Sequence, residues 1–131
     1  MRLWHKELIP YLPKQQLLGQ WRELNSIYKQ QNKHILINFV YEYDKVILYV
    51  YSILVIDEMK KRHCKINLDN FFEYFKDIDK PITFDFDEIY SYKMNDRYLI
   101  QCLYNLQEKY NCGGISQQEW DIIEEKFKNY L

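Results

Sequence analysis

Apolar positions in the N-terminal third of this chain recur at helical steps. Leu17, Leu18, Trp21, Leu24 and Tyr28 follow one another at three- and four-residue spacings, which gathers them on one face of a helix. The pattern predicts an amphipathic helix from Pro13, whose fixed φ suits a first turn, to about Tyr28 or Gln31. Arg22 and Glu23 fall in its middle, just off the apolar face. An adjacent cation and carboxylate there can be a solvated ion pair worth about 0.2–1 kcal/mol, or a recognition group beside a catalytic one. Spacing alone admits both.

Ahead of this helix, Pro10 and Pro13 bracket a turn. Behind it, Asn32, Lys33 and His34 form a polar connector, and residues 35–41 are a dense apolar run rich in β-branched side chains. Such a run suggests a strand, although it is short and Asp44 then offers an N-cap for a long helix. That helix, about residues 45–63, has apolar side chains on nearly every side, so it belongs at the centre of the fold. Interruptions by Tyr, Ser and acids exclude a membrane span. Asn67 or Asp69 can cap a short helix bearing Phe71, Phe72, Tyr74 and Phe75. Residues 77–93 contain Pro81 and five acids; they read as a surface connection that should not lie against DNA. Asn95 or Asp96 starts a helix with Tyr98, Leu99, Cys102, Leu103, Leu106 and Tyr110 on one stripe, stopped by Gly113-Gly114. Ser116-Gln117-Gln118-Glu119 is a capping box for a last helix buried through Trp120, Ile123 and Phe127. The expectation is a single all-α compact domain over residues 1–131, with four to five helices around a buried central one.

Composition agrees. A hydrophobic content of 47% argues against disorder, and three Gly with three Pro argue against a turn-rich all-β fold. Thirteen tyrosines suit half-buried surfaces and nucleobase stacking; an AT-rich coding sequence produces the same enrichment without any function. The net charge of −1 is unevenly spread. Residues 1–34 hold six basic and two acidic side chains, leaving +4, whereas residues 35–131 hold twelve and seventeen, leaving −5. The basic quarter also carries Trp4, His5, Trp21, Tyr28 and His34. A basic, aromatic face is the footprint of a nucleic-acid surface, and an ordinary charge fluctuation gives the same count.

Familiar chemistries are missing. There is no phosphate-cradling glycine loop, no HExxH and no GxSxG. The three cysteines form no CxxC, and with three histidines they give no metal-ligand spacing. His63-Cys64 follows Lys60-Lys61-Arg62 at a helix end, where cations favour the dipole. The odd cysteine count, with no signal pattern and no membrane-spanning run, points to the cytoplasm.

What remains is the N-terminal region. Arg2-Leu3-Trp4-His5, Leu8-Ile9-Pro10-Tyr11-Leu12-Pro13, Gln15-Gln16-Leu17-Leu18-Gly19-Gln20 and Arg22-Glu23 resemble the pyrimidine-dimer DNA glycosylase family, in its bacterial and phage branch. The resemblance continues weakly through Lys33-His34, Tyr43-Asp44-Lys45 and Asp57-Glu58-Met59-Lys60-Lys61-Arg62, and covers about residues 1–65. It implies a compact all-α DNA-repair enzyme, with no cofactor, metal or membrane. Such an enzyme excises cyclobutane pyrimidine dimers from damaged double-stranded DNA and then nicks the strand as an AP lyase. Its implied nucleophile is the α-amino group of the N-terminal residue, which attacks sugar C1′, expels the base and holds the opened sugar as an imine until β-elimination. An α-amine has a reference pKa near 7.7–8.0, so much of it is neutral at physiological pH. A nearby glutamate can stabilise the cationic sugar and shuttle protons.

By this resemblance Glu23 corresponds to the family's catalytic carboxylate and Arg22 to its neighbouring DNA-contact arginine. Arg2 is large and charged, so Met1 is expected to be retained and its α-amine to be the nucleophile. The family's phage member has a histidine where Gln16 stands and an arginine where Ser26 stands. DNA contacts are expected from Arg2, Gln15, Gln16, Arg22, Lys33 and His34, since guanidinium, ammonium, amide and imidazole groups all reach phosphates and bases. Two other readings stay open. One is a nucleic-acid-binding protein that keeps the fold without the chemistry. The other is a helical protein whose basic N-terminal face binds a protein or a phosphorylated ligand. None of these patterns fixes an oligomeric state.

Overall fold

The computed structural model describes residues 2–131, and the regular structure among them is all helical. A 3-10 helix, Lys6–Tyr11, precedes α1 (Lys14–Gln30), and a second 3-10 turn, Asn38–Tyr41, precedes α2 (Lys45–Lys61). Then come α3 (Asp69–Tyr74), a 3-10 turn at Phe86–Glu88, α4 (Asp96–Asn111), α5 (Gln117–Lys126) and a final 3-10 turn, Lys128–Tyr130. No helix among the described residues is long and apolar enough to cross a membrane.

Pro13 stands at the N-cap of α1, one residue ahead of the predicted first turn. Leu17, Trp21, Leu24, Ile27 and Tyr28 are buried on its inner face, and Gln20 is buried with them. Gln31 closes the helix in the left-handed region, φ 47°, returning its N–H to Ile27 O. Residues 35–41 do not form the suggested strand. The carbonyl of His34 accepts the N–H groups of Ile37 and Asn38, and the Asn38 side chain accepts the N–H of His34. These local bonds satisfy the backbone without a ladder, and no described segment offers a strand to pair with.

α2 is the central helix. Asp44 caps it by accepting the Val46 N–H, and all its apolar side chains are buried or half-buried. It stops at Lys61, two residues short of the prediction, because His63 turns left-handed at φ 60°. The N–H of Cys64 then reaches Met59 O and that of His63 reaches Lys60 O. This is the reverse turn that normally carries glycine. Gly113 (φ 85°) makes the same turn after α4, with Gly114 N–H on Lys109 O. Asn67 accepts the Asp69 N–H at the start of α3, and Phe71 and Phe75 pack edge-on against Tyr28 of α1.

The acidic stretch 77–93 is only partly the surface connection its composition suggested. Ile89 and Tyr90 are in the core, where Tyr90 packs edge-on against Phe39 and Tyr43. The Phe86–Glu88 turn wraps over Lys6. The buried Lys6 ammonium donates to Phe86 O at 2.8 Å, Asp87 O at 3.1 Å and Ile89 O at 2.9 Å. Asn95 and Ser116 cap α4 and α5 as predicted, the latter in a full capping box. Glu119 of that box also accepts the Lys14 N–H at 2.9 Å, tying the start of α5 to the start of α1. Arg62 does similar work from α2, pairing with Glu58 and donating to Leu12 O and Pro10 O.

Candidate active site

Residues 2–5 run ahead of the first 3-10 helix without regular structure of their own. Leu3, Trp4 and His5 are nonetheless buried, and a buried backbone needs partners. Side chains from three helices supply them. Gln20 of α1 donates to Arg2 O (3.0 Å) and accepts the Trp4 N–H (2.7 Å). Tyr51 of α2 donates to Trp4 O at 2.6 Å, and Tyr98 of α4 to Leu3 O at 2.5 Å. The Arg2 N–H donates to Glu23 Oε2 at 3.1 Å. Residues 21 positions apart in sequence thus meet, and the first described peptide nitrogen lies on the predicted carboxylate.

Glu23 is half-buried. Burial raises its pKa above the ordinary carboxylate value, and the Arg2 N–H and the charges of Arg2 and Arg22 draw it part of the way back. A carboxyl group so balanced can exchange a proton nearer to neutral pH. The Arg2 guanidinium lies 5.6 Å from the centre of the Trp4 ring and beside Tyr98 and Cys102. It is turned back along its own segment and half-buried. His5 is buried, with Nδ1 accepting the Glu7 N–H, and burial lowers its pKa.

The outer side of α1 is a ridge of small and polar residues. Gln15, Gly19, Arg22, Ser26 and Lys29 follow at steps of four and three, so they lie along one side of the helix. Gln15, Arg22 and Lys29 are exposed. Arg22 Nη2 lies 3.5 Å from where a Cβ on Gly19 would be, so the guanidinium folds down over the bare backbone there. Gln16 borders this ridge, with its Oε1 shielded from solvent and meeting no donor among the described residues. Lys33 and His34 are exposed on the connector beyond α1. The His34 ring accepts the Leu36 N–H at Nδ1. Seven residues, about 10 Å of helix, separate Glu23 from the end of α1 at Gln30. Arg2, Arg22 and Glu23 are therefore one group, Gln15 and Gln16 extend it along the helix, and Lys33 with His34 lie apart.

Met1, the expected nucleophile, lies outside the described residues. No group of three His, Cys, Asp or Glu side chains suited to a metal occurs among the described residues. A cleft of about 370 Å³ lined by Ile9, Tyr11, Leu54, Phe86 and Phe127 includes neither Arg2 nor Glu23. Gln20, Tyr51 and Tyr98 are the site residues that sequence reading missed. Gln20 stood within the family-like run 15–20 and Tyr98 on the apolar stripe of α4, but neither pattern tied them to residues 2–4.

A family model described as pyrimidine dimer DNA glycosylase matches residues 1–71. No curated protein and no solved structure matches the chain. The matched span includes the whole of α1, the segment bonded to it and the central helix α2. Matched over more than half of its length, the chain belongs to the pyrimidine dimer DNA glycosylase family, whose members act in DNA repair as glycosylases.

Proposed function

We propose that this protein is a DNA glycosylase with AP lyase activity on damaged double-stranded DNA, working through the α-amine of Met1 and the carboxylate of Glu23. The observation that carries the reading is the 3.1 Å bond from the Arg2 N–H to Glu23 Oε2. An α-nitrogen is three bonds from the next peptide nitrogen, a span of at most about 3.7 Å from standard bond lengths. The amine of a chain starting at Met1 is thereby tethered within about 7 Å of the carboxylate, whatever its conformation.

The neutral amine attacks C1′ of the damaged nucleotide, and the C1′–N bond to the base breaks with the base taking the electron pair. Glu23 stabilises the positive charge that develops on the sugar. Ring opening gives an imine between C1′ and the amine. Glu23, whose proton affinity is raised by burial, then removes a C2′ hydrogen, and the 3′ C–O bond breaks with the phosphate leaving. Water releases the opened sugar and restores the amine. The Gln15 to Lys29 ridge is about 21 Å long, enough to follow several phosphates, with Arg22 and Lys29 as its cations. Gln15, exposed, and Gln16, half-exposed, offer amide groups to phosphates and base edges. Arg2 and the outlying Lys33 and His34 add positive character. Extruding a nucleotide costs a few kcal/mol and least at a lesion, which directs the chemistry to damaged sites.

The test is to incubate the protein with duplex DNA containing an intact cyclobutane pyrimidine dimer in the presence of borohydride, so that an adduct forms only after the base has been expelled. A covalent adduct lost in Glu23→Gln, and lost when the α-amine is acetylated, supports the reading. No adduct from the unmodified protein refutes it. The +4 balance of residues 1–34 supports one second reading equally well, a DNA-binding protein of this fold without the chemistry. That reading predicts salt-sensitive duplex binding and no adduct.

A further inference from the structure

One buried amide touches both partners of this chemistry. Gln20 is 1% exposed and lies one turn before Glu23 on α1. Its Nε2 donates to Arg2 O at 3.0 Å and to Glu23 Oε2 at 3.3 Å. Its Oε1 accepts the Trp4 N–H at 2.7 Å and lies 2.9 Å from the Tyr51 hydroxyl. That hydroxyl has one hydrogen, and Trp4 O at 2.6 Å is its nearer acceptor. The amide cannot be reversed, since Nε2 would then face the Trp4 N–H and Oε1 would face both a carbonyl and a carboxylate. Burying an amide is unfavourable unless it is fully paired. An apolar side chain in the same place would leave the Trp4 N–H and Arg2 O without these bonds, and the bond to Glu23 goes beyond what that backbone needs.

We propose that Gln20 is a positioning residue. Its amide holds the backbone of residues 2–4 and the Glu23 carboxylate at one fixed separation, so that the amine heading that segment and the carboxylate act on C1′ together. This rests on the assignment of Met1 and Glu23 above. Misplacing reacting groups by about 1 Å can cost on the order of 100-fold in rate, which sets the size of the effect.

Gln20→Met and Gln20→Glu test it through single-turnover adduct formation, counted per folded molecule and followed against pH. Gln20→Met removes both contacts and should slow the adduct roughly 10- to 100-fold, with duplex affinity changed less than about threefold. Gln20→Glu keeps an acceptor for Trp4 and puts a second carboxylate beside Glu23. Arg2 from the N-terminal segment, Arg22 from the same helix and Tyr51 from α2 face Glu23 in both proteins, with the α-amine completing the set in the proposed chemistry. The added like charge should move the acid limb of the rate profile up by about one pH unit. A structural role alone would lower stability and leave the rate per folded molecule and the acid limb where they were. That result overturns the proposal. The unsubstituted protein offers a check independent of variant folding: the Gln20 Nε2 hydrogen resonances should shift along the Glu23 titration. Resonances that ignore that titration also overturn the proposal. Absence of any adduct from the unsubstituted protein overturns the imine reading and this proposal together. An adduct that both variants form at the unsubstituted rate overturns only this one.

Discussion

Replacing Lys6 by methionine isolates one interior cation. The methionine keeps most of the apolar stem and removes the ammonium that three carbonyls share. Ile89 O lies in the buried part of that cradle; left without a donor it costs about 1–3 kcal/mol. Phe86 O and Asp87 O are part-buried and can turn to water, so each loses about 0.5–1 kcal/mol of net bonding. Against this, burial lowers the Lys6 pKa, which means that the folded protein works to keep the cation inside. Removing it returns part of that desolvation cost. The losses add to about 2–5 kcal/mol, and the net loss lies below that sum, read as a lower urea midpoint with little change in slope. Cleavage by a protease should rise within residues 77–93 before it rises elsewhere, because the Phe86–Glu88 turn loses its anchor. A loss below about 0.5 kcal/mol, or a stabilised variant, would refute the reasoning. The carbonyl cradle would then be incidental to holding the acidic stretch.

Other outcomes follow from single features. Glu23→Gln should abolish adduct formation while raising the melting temperature. Burial raises the Glu23 pKa, so its stability contribution is greatest below the unfolded pKa and is lost as pH rises through the folded value; glutamine removes that loss, and a lower melting point at pH 7 would count against the assignment. His5 works in the other direction. Its folded pKa lies below the ordinary 6.5, so stability is full above about pH 6.5 and falls as pH drops through the folded value. Urea midpoints at pH 7.5 and pH 5 should differ more in the native protein than in His5→Asn, which can still cap Glu7. His63→Gly should stabilise by about 0.5–1 kcal/mol, since an exposed left-handed position at φ 60° favours glycine; an unchanged urea midpoint would show that the histidine is held there by other contacts.

Much of the helical frame was readable from local chemistry. Asp44, Asn95 and Ser116 are short polar side chains ahead of apolar periodicity, and each caps the helix it announces. The run at 35–41 misled because β-branching describes what fits a sheet, and no other segment among the described residues supplies one. Lys6 and the 86–90 turn were hidden for a different reason. A lysine and an acid-rich loop both look solvent-bound, and their pairing spans 80 to 83 residues. At the candidate site, Glu23 and Arg22 were singled out through family resemblance. The contact of Glu23 with the Arg2 peptide was not, because no periodicity links an extended segment to a helix 21 residues on. Gln20 stood inside the family-like run, but nothing in the sequence ties it to the backbone of residues 2–4 that it meets.

The stitching of residues 2–14 also sets an order of assembly. Leu3 is bonded to Tyr98, Lys6 to the carbonyls at 86–89 and Lys14 to Glu119. During synthesis this segment waits for residues 80 to 105 positions later before it can settle. Closing such long loops late is slow and leaves apolar surface open meanwhile. A fragment ending where the family match ends, at residue 71, would contain Glu23 and the segment it meets. It would lack the tyrosine, the carbonyl cradle and the carboxylate that hold that segment from the other side.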